Sequence, residues 1–339
     1  MQNRHHLELT WLEDCVALAD TLNFSKAAEA RYVTQPSFSR RIQSLEEWVG
    51  TPLFERNRRG VHLTKAGEVF CKQAPELIRA LYTLRSETLD ATGQYQPDVV
   101  FSATHALSFS FFPALLRRNE KMARLGSFRL LSDTLKACEN LLARGEAQFL
   151  LCHYHPHMQM TLDAEKFISL RLGEDRLLPY SLALPGSATP MWKIGEQKFP
   201  YLSFSNDSGL GRIISNSAVI SRAKRGMEVA FTSDLAATLL AMVAAGEGVA
   251  WLPQSLAEAD VDSGKIVVAT DRPDDLCLPI EIRLYRPVTK MAKSVEALWQ
   301  LFAKEAELAP HPNPLPQGAV SYTHLKLRSN GRNLRNIAG

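Results

Sequence analysis

Gln35, Ser37, Ser39 and Arg40 sit close together in the run Thr34-Gln35-Pro36-Ser37-Phe38-Ser39-Arg40-Arg41. Glutamine and arginine can each form paired hydrogen bonds with a base edge, to adenine and guanine respectively, and serine bonds to either. Further on, Arg56, Arg58 and Arg59 gather beside Gly60. Their guanidinium groups suit phosphates or a narrow minor groove. The chemistry that these types and spacings support is recognition of double-stranded DNA. Arg40 or Arg59 alone would read as an ordinary solvated charge; the DNA reading rests on the ordered combination of cap, helix and hairpin.

Such side chains must be held by rigid elements. A short helix with a small-residue face (Ala27, Ala28, Ala30) precedes a break at Tyr32-Val33. A second helix opens with Thr34 as its N-cap, and Pro36 is tolerated in the first turn because its missing N–H would have had no partner. Phe38, Ile42, Leu45 and Val49 recur at helical spacing, so this helix has an inward face and Gln35, Ser37, Ser39 and Arg40 point outward. After Gly50, Leu53–Arg56 and Val61–Leu63 form a strand pair with Arg58, Arg59 and Gly60 at its tip. Trp11, Leu12, Cys15, Val16, Leu18, Ala19 and Leu22 supply the inward stripe of a supporting first helix. This is the plan of a winged helix-turn-helix, with one helix for the major groove and an arginine hairpin beside it.

The block resembles the LysR-type family of bacterial transcriptional regulators. The matching motifs, in order, are Phe24-Ser25-Lys26-Ala27-Ala28, Thr34-Gln35-Pro36-Ser37, Pro52-Leu53-Phe54-Glu55-Arg56 and Leu63-Thr64-Lys65-Ala66-Gly67. The resemblance is close over roughly the first 90 residues and extends in general plan over about 300. It implies DNA contacts from Ser25, Lys26, Thr34, Gln35, Pro36, Ser37, Ser39, Arg40, Arg41, Arg56, Arg58 and Arg59. Within the family, His105-Ala106-Leu107-Ser108 together with Arg212-Ile213-Ile214 is similar to the subgroup containing a hypochlorite-responsive regulator. That subgroup is noted for sensing oxidant through methionines, and this chain carries Asn119, Leu210 and Leu235 near the corresponding places.

At 339 residues, with 45% apolar and 22% charged residues, the chain has ample core for two or three globular domains. Its formal charge of +3 comes from the end: without Lys326, Arg328, Arg332 and Arg335 the balance is −1, so the basic character needed for DNA is local. Residues 1–64 are assigned to the DNA-binding head and 65–96 to a linker helix and hinge. In the linker, Phe70, Leu77 and Leu84 are spaced by seven, with Ala74, Leu81 and Thr88 beside them. This is a short coiled-coil seam, so Phe70, Leu77, Leu81 and Leu84 are expected to make a homodimer. Pro75 is expected to cost the helix a hydrogen bond, and Gly93–Pro97 reads as a hinge. Beyond it, strands at 99–102, 128–131 and 149–152 alternate with helices at 109–118 and 135–144. Later strands at 200–204, 227–231, 248–252, 266–269 and 280–285 alternate with helices at 211–223, 235–245 and 295–307. This alternation argues for parallel α/β sheets.

The resemblance implies two such subdomains, like a periplasmic binding protein: residues 97–166 with 270–307, and 167–269. A ligand would then sit in the crevice at the carboxyl ends of the strands. The candidate effector contacts there are Ser102, Ala103, Thr104 and His105 on one side, and Ser203, Ser205, Asn206, Thr232 and Ser233 on the other. Hydroxyls and helix N-termini suit a small anionic effector. Expected partners are therefore an interrupted palindrome of double-stranded DNA, a small-molecule effector, a second copy or a tetramer, and RNA polymerase. No cofactor is expected.

Other chemistry has weaker support. Cys152-His153-Tyr154-His155-Pro156-His157 would place His153, His155 and His157 on one face of an extended segment, where they could approach a metal; an ordinary polar loop is the plainer alternative. The five cysteines lack CxxC spacing, with no resolving pair evident, which fits reduced thiols in the cytoplasm. GxSxG, GxxxxGK and HExxH are all absent, which argues against an enzyme. A purely architectural DNA binder would not need about 200 residues of α/β domain. No signal peptide or membrane-spanning run is read, since Leu235–Ala245 is too short to cross a bilayer. Residues 308–339 are expected to be a disordered tail; from Pro310 they resemble translated intergenic or adaptor sequence more than a domain.

Overall fold

The computed structural model describes residues 6–57, 60–92, 99–118, 122, 127–196, 198–223 and 226–308. The hinge at 93–97, the wing arginines Arg58 and Arg59, Asn119 and the expected tail beyond 308 lie outside the described residues.

Three helices and a hairpin form the head: α1 (Leu9–Thr21), α2 (Phe24–Ala30), α3 (Gln35–Val49), β1 (Phe54–Asn57) and β2 (Gly60–Leu63). Its core is Leu12, Cys15, Leu18, Ala27, Ala28, Phe38, Ile42, Leu45 and Leu53, as the helical spacing predicts. Ala30 and Leu22 are exposed, and Leu22 caps α1 in the left-handed conformation. The helix α4 (Lys65–Ala91) runs through Pro75. Ala74 and Ile78 are buried in the head's core, with Phe70 packed against it. Leu77, Leu81 and Leu84 are 54%, 46% and 60% exposed. The expected second row is therefore corrected: Ala74 faces the head, while Leu81 joins the exposed stripe.

The remainder is α/β. In chain order it comprises β3 (Val99–Thr104), α5 (His105–Ser110), α6 (Phe112–Arg118), β4 (Phe128–Asp133), α7 (Leu135–Ala143), β5 (Phe149–Tyr154) and β6 (Phe167–Leu182). Then come β7 (Phe199–Phe204), α8 (Gly209–Ser215), α9 (Ala218–Ala223), β8 (Met227–Ser233), α10 (Ala236–Ala244), β9 (Ala250–Pro253), α11 (Gln254–Asp262), β10 (Ile266–Val268), α12 (Pro273–Leu276), β11 (Leu278–Pro287) and α13 (Lys293–Leu308). The sheet order is β10-β6-β11-β5-β3-β4, with β9 also on β6, and β7 and β8 pair separately. β4, β3 and β5 are parallel, as the alternation predicts.

Three expectations change. The helix expected over 109–118 is two helices that meet at Phe111, the first starting at His105. The helix expected over 211–223 is likewise two, α8 and α9. The strand β6 is not among those expected, and it begins at the proposed subdomain boundary. Its residues 167–177 pair with β11, whereas 177–182 pair with β9 and β10, so the pairing changes near Leu177 rather than at Phe167. One aromatic core lies between β3, β5 and α13, with Phe101 stacked on Phe149 at 5.0 Å and edge-on to Phe302. A second core runs from α7 through Tyr201, Leu239 and Trp251, so the two halves share apolar packing.

Candidate functional site

The head presents α3 by burying one side of it. Phe38, Ile42 and Leu45 face inward, and Gln35, Pro36 and Arg40 are exposed, with Ser37 and Ser39 half-buried between them. Gln43, one turn beyond Arg40, shares the exposed face, a position the motif reading did not single out. Thr34 occupies the N-cap with extended backbone, but its side chain makes no cap bond. That corrects the capping expectation: the leading N–H groups of α3 lack a side-chain cap and suit a phosphate. Asn23 does cap α2, accepting from the amides of Ser25 and Lys26 at 3.0 and 3.1 Å. Tyr32, in the turn just before α3, is 97% exposed and held at a φ of 55°.

The hairpin is fixed to α3 by Glu46, whose carboxylate accepts from the Leu53 and Phe54 amides at 2.7 and 3.0 Å. Arg56 lies over the Phe24 ring at 3.9 Å, and Phe24 stands edge-on to Phe38. Such a stack holds the guanidinium in place while leaving its edge for a phosphate. Gly67 shows why the hairpin motif ends in glycine: a Cβ there would fall 2.0 Å from the Leu53 carbonyl oxygen. Arg41 is placed differently from Arg40. Its guanidinium is 3.3 Å from the fully buried carboxylate of Asp14, which Arg31 also contacts at 2.8 Å. Arg41 therefore pins α3 to α1.

At the carboxyl ends of β3, β4 and β5 lies a crevice lined by Thr104, His105, Asp133, Thr134, Leu135 and His153. The facing wall is Ser208, Gly209, Leu210, Asp234 and Ala236. Helices α5, α7, α8 and α10 all begin there. Thr134 and Ser208 cap α7 and α8, but α5 and α10 have no side-chain cap bond. The Thr104 hydroxyl and His153 Nε2 are buried without a hydrogen-bond partner. The His105 Nδ1 lies 3.0 Å from the Ser132 hydroxyl. The crevice is partly open to solvent and has a volume of about 20 Å³, room for about one water.

Several expected contacts sit elsewhere. Ser102 is fully buried, its hydroxyl donating to the Phe149 and Cys138 carbonyls, and Ala103 is buried beside it. Ser203 bonds to Thr232 at 2.8 Å, the Ser233 hydroxyl accepts from the Leu235 amide, and Asn206 is exposed. None of these five second-side residues lines the crevice, although Ser205 donates to Asp234, which does. The second wall instead comes from the start of α8, whose Ser208 no apolar or strand pattern marked. A Cβ at Gly209 would fall 3.2 Å from Leu135 across the crevice, and Arg212 of α8 meets the buried Glu139 of α7 at 3.0 Å.

The histidine run does not form one face. β5 ends at Tyr154, leaving His153 buried 3.8 Å from Asp175, while the His155 ring accepts from the His157 amide in the following turn. Burial, with His157 alongside, pulls the His155 pKa down. Among the described residues no three His, Cys, Asp or Glu side chains form a metal-holding group, and no helix is long and apolar enough to cross a membrane.

α7 links the crevice to the head. Its first residue lines the crevice, and its last, Ala143, accepts a 2.9 Å hydrogen bond from Arg79 of α4. The adjoining Arg144 pairs with Asp20 of α1, while Lys166 pairs with Glu76 of α4. Burial pushes the Asp20 carboxyl upward, and Arg144 opposes that shift.

Comparison with known proteins agrees with both halves of this geometry. Residues 9–68 match the family described as bacterial regulatory helix-turn-helix protein, lysR family, and residues 92–307 match the LysR substrate binding domain. The HTH-type transcriptional regulator YjiE of Escherichia coli (strain K12) is 29% identical over 87% of this chain and 94% of its own length. Full-length HypT from Salmonella typhimurium, a hypochlorite-specific LysR-type regulator, is 28% identical with a TM-score of 0.54, covering 89% of this chain and 99% of that one. Vibrio fischeri DarR, solved in complex with DNA, is 27% identical with a TM-score of 0.50, covering 88% and 99%. These relatives are transcriptional regulators, not enzymes. With a reading helix exposed at one end and a helix-lined crevice at the other, the chain belongs to the LysR family: a DNA-binding transcriptional regulator whose second domain takes an effector.

Proposed function

We propose that the crevice binds a small molecule carrying an anionic group, and that its occupancy alters how paired heads fit an operator. The observation that carries this reading is the Thr104 hydroxyl, buried and unpartnered where α5 and α10 begin without side-chain caps. An anion there would take up orphan N–H groups and that hydroxyl. Asp133 and Asp234 also line the crevice, so the preferred effector carries a hydrogen-bond donor besides its anion, as amino or hydroxy acids do. A crevice of about 20 Å³ must open to admit it. Leu210 and Leu235, near the places expected for the subgroup's methionines, offer no sulfur to oxidise, which favours a ligand over methionine chemistry.

Transmission would run through α7, the helix that touches the crevice, Arg212 of the second subdomain, and both α4 and α1. The mechanism is a population shift between two relative orientations, with a coupling of about 1–3 kcal/mol. On DNA, Gln35, Ser37, Ser39, Arg40 and Gln43 would read bases, with Ser25, Lys26, Thr34, Tyr32, Arg56, Arg58 and Arg59 on the backbone or minor groove. The exposed leucines of α4 would join two copies, giving a dimer or tetramer on an interrupted palindrome, where the protein meets RNA polymerase in the cytoplasm.

Thermal-shift screening of small hydroxy and amino acids tests the crevice. A stabilising acid should lose at least tenfold in affinity against Thr104→Val, with its effect on DNA binding lost in parallel. Stabilisation by divalent metal alone, abolished by His153→Ala, would overturn the reading.

A further inference from the structure

Five cysteines scattered along the sequence look unrelated, but folding brings two of them together. Cys15 of α1 and Cys71 of α4 are 56 positions apart in sequence, and their sulfurs lie 3.5 Å apart. That is sulfur–sulfur contact, about 1.5 Å longer than the covalent bond. Cys15 is fully buried in the head's core, whereas Cys71 is half-buried on the linker helix. The remaining three, Cys138, Cys152 and Cys277, lie in the α/β domain, where burial pushes each thiol upward.

We propose that Cys15 and Cys71 form a redox-modification site, at which a hydroperoxide drives formation of a disulfide that ties the first helix of the head to the linker helix. Cys71 meets the oxidant, because it alone of the pair reaches the surface. Its thiolate sulfur attacks the peroxide; an S–O bond forms, the O–O bond breaks, and with hydrogen peroxide the departing hydroxide takes up the proton that the Cys71 thiol released, leaving as water. The Cys71 sulfenic acid then stands beside Cys15. The Cys15 sulfur attacks the Cys71 sulfur, the S–S bond forms, the S–O bond breaks, and the departing hydroxide takes the Cys15 proton as a second water. Two thiols and one hydrogen peroxide become one disulfide and two waters, and a thiol reductant reverses the change.

The surroundings assign these roles. The hydrogen bond from Cys15 holds Cys71 below the ordinary thiol range, and that bond together with burial pushes Cys15 above it. The thiolate thus forms at the reachable sulfur, where nucleophilic attack must start. The consequence is mechanical. α1 packs on α4 along the face that also holds Ala74 and Ile78, and the disulfide would fix the angle at which the reading head stands on the α4 helix.

The test uses the full chain treated with hydrogen peroxide, denatured in N-ethylmaleimide and digested with trypsin. The expected product is a disulfide joining the peptides that span residues 5–26 and 66–72, formed in a species that still migrates as a single chain on a non-reducing gel. It should vanish on reduction and in Cys71→Ser, and persist in Cys277→Ser. Amide exchange in α1 should slow at least tenfold on oxidation in the wild type and stay unchanged in Cys71→Ser. Maleimide on both Cys15 and Cys71 after peroxide overturns the proposal. So does a link that joins two chains, or slowing of α1 that survives Cys71→Ser.

Discussion

Replacing Arg40 with alanine is expected to cost about 1–3 kcal/mol on the preferred operator and to relax base preference there, leaving stability nearly unchanged. Arg41→Ala should do the reverse. It leaves Asp14 with Arg31 alone, at a cost of about 1 kcal/mol for this partly exposed pair. That corresponds to roughly 4–8 °C in the melting temperature of the head. Melting curves beside binding to operator and random DNA would check both; equal losses of Arg40→Ala on the two DNAs would reject its role in reading sequence. The sequence shows Arg40-Arg41 as one doublet, because its side-chain types carry no record of Asp14 being buried beneath α3. Thr104 and Ser102 teach the same lesson. Both lie on β3 two residues apart, yet one hydroxyl is spent on the Phe149 carbonyl and the other is left unpartnered.

At the scale of elements, amphipathic helices were the most legible. The stripe Phe38, Ile42, Leu45 located α3, and the heptad on α4 located an exposed row at Leu77 and Leu84. What the heptad hid is that the head covers α4 at Phe70 and Ala74. Leu77→Glu should yield a species that sediments as a monomer, since burying leucine in a seam is worth about 1.5–3 kcal/mol per side chain, and DNA binding should weaken with it. Unchanged sedimentation would move the interface elsewhere. β6 was missed because its middle carries Arg171, Glu174, Asp175 and Arg176, which break any apolar run. Arg171 pairs with Glu174, and Asp175 accepts from the Ser255 hydroxyl at 2.5 Å, so tertiary partners make those charges tolerable in a strand. α7 was legible as a helix, but its role as a connector was not, since Asp20 is 124 residues away from Arg144. Arg144→Gln should leave the affinity for a crevice ligand intact and reduce that ligand's effect on DNA binding at least fivefold, measured by titrating DNA with and without a stabilising acid. Retention of the full effect would rule out this contact as the route.

For the whole molecule, the charge distribution makes DNA affinity depend on a few local cations rather than on a general field. Binding should therefore weaken steeply with salt, and Arg59→Ala should lower the log–log slope by about 0.9, alike on specific and random DNA. A slope that stays put would place Arg59 away from the phosphates. The two halves of the α/β domain were foreseen from family resemblance and their parallel strands from strand–helix alternation; the change of pairing along β6 was not.

The passage between the halves has a consequence of its own. The chain crosses between the halves twice, on β6 and on β11, and the two strands are bonded to each other along Phe167–Leu177 and Leu278–Pro287. A hydrogen-bonded ribbon resists stretching and sliding but yields to torsion, the deformation a twisted strand pair already carries. Its register slips between Ile282 and Arg283, opposite Gly173, the one glycine in β6. A bulge beside a glycine is where such a ribbon bends most easily. Under the proposed function, opening the crevice would be a wringing motion about this spot rather than the swing of a jaw, and an effector's message would reach the DNA as torque.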